Sequence, residues 1–533
     1  MDRRPSQTRA SDILDRFLMI QCLLFLLPLL SAYLHPMLLG NVRNSQILVV
    51  LIFLGIAIQK RLPLDDWLAW RCSPKLWNAL ALASLLSFLA TGVTHYLGLR
   101  LNGEDFSIFD WMLFNTNHRE FMTSPICNMA GPLDVCHHFA IHPTYIMIPL
   151  SFLHRIFQQP LFLIAVHSLA LWAAIIPLRA LARRFLRHDV LTVGVLLAYL
   201  GNGYVGSILN HGFHVEVFFV PFGLCLMLAL VERQKSWWIW LALFLAVKED
   251  GAFYMIALGL TRLVLQARDR RSFILVGVST LVLVLNLSVV QPYFLRVTGA
   301  EVPSYLRFWG HLGSSKSEII LHIIQQPVAT LTMVLQSHWY ILFGSLFFIP
   351  LLSPFALAAM APALLIYGLS NISHMREYAT YYAAPLIPFL FYGLVEGGQR
   401  LLQRPWRTAP VLILFACLVF ALTGGGYQKF PPIAFEALRD LHEARTFLWT
   451  QSRPLICAQT LLYPHLPYEW RIQPLSPECM QEPDALTIFL SNRRYDSYPL
   501  GAREFSAMRQ QIPGLELVRT YPSGLEIYRQ KAY

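Results

Sequence analysis

Apolar runs of about 18 residues with few charges recur along the chain, the length a helix needs to cross a bilayer. The first, Phe17 to Leu34, follows a start that carries Arg3, Arg4, Arg9 and Arg16. No small-x-small cleavage site follows it, so it is expected to remain as a span rather than be removed as a signal peptide. Further runs lie at about 46–59, 76–98, 160–178, 189–208, 213–231, 236–248, 251–266, 273–292, 337–352, 354–370, 379–396 and 409–425. Together they predict an all-α polytopic bundle of about 13 transmembrane helices. The stretch Tyr145 to Phe157 is also apolar, but it ends in His154 and Arg155, which suits a helix lying on the membrane face.

The pattern changes after Gly424-Gly425-Gly426 and Pro431-Pro432, a linker signal. Ala434 to Thr450 has the spacing of an amphipathic helix. Pro454 to Thr460 and Ala485 to Leu490 are expected as buried strands, and Ala502 to Gln511 as a helix. Leu515 to Tyr521 and Leu525 to Arg529 are expected as a hairpin around Pro522-Ser523-Gly524. The chain therefore divides into three parts: 1–75 with two extra spans, a membrane domain over 76–426 with long loops at 99–159 and 293–336, and a small α/β domain over 427–533.

Composition supports this division. The 533 residues are 56% hydrophobic and only 14% charged, against about 25% charged in soluble domains. This excludes a soluble enzyme and a disordered chain. The net charge of +11 resolves into topology. With the N-terminus inside, the inner segments hold 21 Lys and Arg and the longer outer segments hold 8, as the positive-inside rule requires. The charge is thus no sign of nucleic-acid binding. A multi-pass membrane protein is expected, with its N-terminus cytoplasmic and its C-terminal domain on the outer side. On that outer side four cysteines form two groups, Cys127 with Cys136 and Cys457 with Cys479, and disulfides are expected in an oxidising compartment.

Ionisable residues collect in the outer segments. Glu104, Asp105 and Asp110 follow a span, and Asp110 sits in an aromatic frame of Phe106, Phe109 and Trp111. A carboxylate there can act as a general base or simply cap a helix. His138 and His142 share a spacing of four residues near Asp134. His211, His214 and Glu216 open the span at 213–231, where ionisable groups are costly against lipid and so face the bundle or a cavity. These three could hold a cation or cap a helix. Lys248-Glu249-Asp250 sits between apolar runs. The lysine could bind a phosphate as a point charge, or pair internally. Arg376 at the mouth of the span at 379–396 is a candidate for an anionic headgroup. No nucleotide-binding loop or HExxH signature is present.

Several of these segments, in order, resemble the domain of unknown function family 2079. The resemblance rests on Phe109-Asp110 with Asn115-Thr116, His138-Phe139, Phe213-His214-Val215-Glu216, Lys248-Glu249-Asp250 and Tyr381-Tyr382 through Pro388. Pro464-His465-Leu466 and Gly524 to Tyr528 extend it through the tail, so it covers about residues 76–533. The family is grouped with GT-C membrane glycosyltransferases. The resemblance implies inverting transfer from a polyprenyl-phosphate sugar to a glycan or lipid acceptor, with Asp110 as base. It implies that His214, Glu216 and His138 bind the acceptor or a divalent cation, the cation set being His211, His214 and Glu216. Lys248 and Arg376 would neutralise the lipid phosphate. His214 and Glu216 stand where such enzymes often carry Asp-x-Asp. A lipid or solute transporter and a membrane scaffold are the alternatives.

Overall fold

The computed structural model describes residues 5–31, 49–50, 52, 63–101, 103–126, 136–266, 269–298, 305–423, 431–451, 455–483, 485–491 and 502–530. Most of the expected span at 46–59, the glycines at 424–426 and Cys127 lie outside these. The architecture is a helical bundle with a small sheet domain packed on one end.

The principal helices are α1 (Pro5–Ser31), α2 (Pro74–Leu97), α3 (Gly103–His118), α4 (Pro160–Ala173), α5 (Ile175–Leu186), α6 (Asp189–Gly201), α7 (Gly203–His211), α8 (Phe219–Val231), α9 (Trp237–Leu245), α10 (Gly251–Leu265), α11 (Arg270–Leu285), α12 (Pro354–Gly368), α13 (Ile387–Leu402) and α14 (Ala409–Thr423). Every residue of α6 is buried, and α13 is buried over most of its length, so these two form the centre. By contrast, α11 leaves Phe273, Leu281 and Val284 exposed, the composition of a helix facing lipid.

The span count differs from expectation. Among the described residues, three helices are long and apolar enough to cross a bilayer: Pro74–Leu97, Pro160–Leu186 and Arg270–Thr298. The number rises to six if each bent pair counts as one span. The reason is local chemistry. Asn202 stops α6, and its side chain accepts from the Tyr204 amide to start α7, so the run at 189–208 becomes two segments bent by 42°. Pro388 lies in the first turn of α13, a position that suits the missing N–H, and the chain before it is bent by 79°. In the other direction, α4 and α5 continue through Leu186, carrying the basic stretch at 179–184 on the helix itself.

The tail folds as a five-stranded sheet, with α15 (Phe435–Trp449) and α16 (Ala502–Gln511). Strand order is β4-β3-β5-β7-β6, with β3 Leu455–Ala458, β4 Arg471–Pro474, β5 Ala485–Leu490, β6 Leu515–Thr520 and β7 Leu525–Gln530. Strands β4, β3 and β5 are parallel, while β5, β7 and β6 are antiparallel. The β6–β7 turn uses Gly524 at φ 85°, which glycine adopts without cost. A short antiparallel pair, β1 (Thr123–Ser124) and β2 (Cys136–His137), lies in the loop after α3. Cys457 and Cys479 form a disulfide that ties β3 to the segment after β4. Cys136 is also disulfide-bonded.

Helix α3 joins the two parts because it is apolar on two faces. Phe106, Phe109, Met112 and Leu113 belong to the bundle core. Ile108 and Trp111 belong to the core of the tail, with Leu441, Leu461 and Tyr463. At the start of α3 the approach is so close that a Cβ on Gly103 would lie 1.7 Å from the Thr460 carbonyl oxygen. Gly103→Ala is therefore expected to cost about 1–3 kcal/mol through overpacking and to loosen the tail. Limited proteolysis of the 427–533 region should accelerate; unchanged cleavage would show that the contact tolerates a methyl group.

Candidate functional site

The turn between α7 and α8 builds the site. Gly212, at φ 94°, ends α7 and redirects the chain so that His211 and His214 approach the same surface. His211 Nε2 lies 3.1 Å from Asp105 Oδ2 on α3. His214 Nδ1 bonds to Glu216 Oε2. Glu216 Oε1 in turn accepts from Lys248 Nζ at 2.7 Å. Beside this, His142 Nδ1 lies 2.7 Å from Glu249 Oε1. Asp250 Oδ2 accepts from Tyr254 at 2.8 Å and from Tyr367 at 3.4 Å.

Aromatic rings frame the cluster. Tyr381 stacks on His214 with centroids 3.5 Å apart and planes within 3°, and its ring is 5.0 Å from His211. Its hydroxyl donates to Tyr382 at 2.9 Å. From α3, the edge of Phe109 meets both His138 and His214. His374, Asp105 and His211 are electrostatic neighbours, and Arg307 acts on both His374 and Glu104.

Protonation follows from these contacts. Burial pushes the Asp105 carboxyl up, but the His211 hydrogen bond and charge outweigh it, so the net shift is downward and the group is ionised at neutral pH. Burial pushes Glu104 up to about 7, helped by the neighbouring Asp105. Burial also holds His138 well below the usual histidine range, so it is neutral. Three buried atoms, His138 Nε2, Glu249 Oε2 and Asp250 Oδ1, have no hydrogen-bond partner among the described residues. Native structures rarely bury such atoms without reason.

The expected site residues separate into two groups. His138, His211, His214, Glu216 and Lys248 come together. Asp110 does not join them. It is five residues beyond Asp105, about 140° around the helix, and faces the tail domain. It is 1% exposed, and its Oδ2 accepts from the Tyr468 hydroxyl at 2.7 Å. His154 Nε2 is 3.9 Å from its other oxygen. Arg376 lies elsewhere too: its backbone carbonyl accepts from His338, its charge acts on His311, and it makes no hydrogen bond to the cluster among the described residues. The cation set is divided, since His211 turns to Asp105 while His214 and Glu216 pair with each other. Among the described residues no three His, Cys, Asp or Glu side chains are grouped to hold a metal ion.

The sequence had named Asp105, His142, Glu249 and Tyr381 but given none of them a role: the Asp105–His211 pair, the His142–Glu249 pair and the ring over His214 appear only in the fold. Helical phase was the available cue for the first, because Asp105 shares a face with Phe109 and Asp110 does not.

All of these residues lie within the stretch 94–476, which matches the family model described as predicted membrane protein (DUF2079). The chain belongs to that family. Among solved structures, ArnT from Cupriavidus metallidurans bound to undecaprenyl phosphate is similar at a TM-score of 0.48 and 13% identity, covering 86% of this chain and 98% of that one. Apo ArnT from the same organism gives 0.48 and 12%, covering 85% and 97%. None of the curated proteins compared matches the chain.

Proposed function

We propose that the chain is a bacterial inner-membrane glycosyltransferase of the GT-C kind. It moves a sugar from a polyprenyl-phosphate donor to a glycan or lipid acceptor on the periplasmic side. The observation that carries this reading is one ring, Tyr381, packed against both the Asp105–His211 pair and the His214–Glu216–Lys248 chain. A base and a fixed cation thus lie in one contact cluster around the same ring.

The roles follow from protonation and geometry. Asp105, ionised and with a side chain 17% exposed, accepts the acceptor's proton as the new glycosidic bond forms. His211 holds that carboxylate in place. Lys248 uses one of its three donors on Glu216, leaving two for the phosphate on which negative charge develops as the sugar departs. The stacking of Tyr381 on His214 fixes the imidazole that bonds Glu216. Asp110, enclosed beneath Tyr468, docks the tail rather than meeting substrate.

Asp105→Asn tests this assignment. Release of polyprenyl phosphate from a panel of undecaprenyl-phosphate-linked sugars should fall at least about 100-fold, the usual weight of a general base. Folding, followed by thermal unfolding in detergent, should be unchanged. Wild-type turnover in Asp105→Asn would remove Asp105 from the mechanism.

A further inference from the structure

A second feature lies far from this cluster, toward the C-terminal end of the 27-residue helix Pro160–Leu186. The basic residues there are roughly 30 Å along the helix axis from its start at Pro160, and the segment just before that start packs on α3 through the Asn117–Ser151 hydrogen bond. A cavity of about 690 Å³ opens between α2, α4–α5 and α6. Its walls are apolar and aromatic, with Trp77, Trp172 and Ile176 prominent. Its polar lining is Arg179, Arg183, Arg184 and one carboxylate, Glu232.

The arginines are unequally committed. Arg183 Nη2 is 3.4 Å from Asp189 Oδ1. The guanidinium of Arg179 lies over the Trp77 ring, 4.1 Å from its centroid, and its buried Nε has no hydrogen-bond partner among the described residues. Arg184 is exposed. The cavity therefore offers three guanidiniums against one carboxylate, over a wall of tryptophan and aliphatic side chains.

We infer that this cavity is a binding site for an anionic phospholipid, with the phosphate held by Arg179 and Arg184 and the acyl chains along Trp77, Trp172 and Ile176. Two observations choose this occupant. Guanidinium forks match phosphate oxygens, and the cavity opens between apolar helices, so its occupant must also bury hydrocarbon. A basic pocket between membrane helices is the recognised setting for a lipid headgroup. The site is separate from the Asp105–Lys248 cluster and stands whether or not the transferase reading does.

The test is native mass spectrometry of delipidated full-length protein titrated with dioleoylphosphatidylglycerol or dioleoylphosphatidylcholine. The anionic lipid should bind at least tenfold more tightly. Arg179→Gln and, separately, Arg184→Gln should each weaken it about tenfold while leaving phosphatidylcholine binding unchanged. Arg184 is exposed, so that variant retains the fold even if Arg179→Gln does not. Arg404→Gln, a basic position outside the cavity, serves as the control and should bind like wild type. Equal binding of the two lipids, or an equal loss in Arg404→Gln, would overturn the site.

Discussion

Lys248→Met is expected to abolish transfer and to destabilise the chain by about 3–5 kcal/mol, the cost of leaving one member of a buried ion pair without its partner. The geometry makes the loss severe. Glu216 is 1% exposed and Lys248 is 11% exposed at the side chain. Without the ammonium, Glu216 keeps only His214, while Glu249 and Asp250 remain as buried carboxyls in the same cluster. Thermal unfolding in detergent, read through tryptophan fluorescence, measures the stability, and donor turnover measures the function. The double variant Lys248→Met/Glu216→Gln separates the two. Replacing a whole buried pair is often close to neutral, so stability should return by several kcal/mol while turnover stays lost. A stable, active Lys248→Met protein would show that the ammonium neither holds the cluster nor meets phosphate.

How far this site could be read in advance depends on what kind of signal each residue leaves. His214, Glu216 and Lys248 were visible because ionisable groups between apolar runs stand out against a bilayer. Asp105 and Asp110 could not be ranked that way, since both follow the same span by a few residues. Helical phase puts them on different faces of α3, but which face meets the bundle and which the tail is settled only by the two-sided packing. Ile108 and Trp111 are only apolar residues of a loop in the sequence; their partners Leu461 and Tyr463 come from more than 300 positions away. Tyr381 is equally silent as one tyrosine at a helix entrance. Its role arises from the bend before α13, which brings it flat onto His214.

The fold shows the same division. The β6–β7 hairpin was legible because Gly524 and Pro522 punctuate two β-rich runs. Strand β4, Arg471-Ile472-Gln473-Pro474, was not, because it has one buried apolar residue and a proline. It pairs only on one side, at the edge of the sheet next to β3, where its proline is tolerated. Hydropathy registers apolar length but not the breaks at Asn202 and before Pro388, so the apolar runs at 189–208 and 379–396 do not each correspond to one straight helix.

Asp110→Asn should stabilise the protein at pH 8 and change little at about pH 3, below both the unfolded and the folded titration, the opposite of what loss of a useful carboxylate would do. Burial pushes the Asp110 carboxyl up to about 7, more than the Tyr468 hydrogen bond pulls it down. The native state therefore keeps a proton that the unfolded chain has released, and the Asp110 contribution to stability falls as pH rises from about 4 to about 7. Asparagine has no such loss and still offers an oxygen to Tyr468. The gain above pH 7 should approach about 4 kcal/mol, the free-energy equivalent of a shift from 3.8 to about 7. The comparison must be between variant and wild type at each pH, because neighbours titrate as well. Burial holds His154 down to about 4, which works in the opposite direction below pH 6.5, and Glu104, up to about 7, works in the same direction as Asp110. Tyr468 is raised by burial and keeps its proton throughout. A variant that is less stable than wild type at pH 8 would mean that the ionised carboxylate is held favourably against the tail. Turnover completes the argument: Asp110→Asn should retain it where Asp105→Asn does not, since only a carboxylate facing the His211–Lys248 side of α3 can reach an acceptor while the tail stays docked.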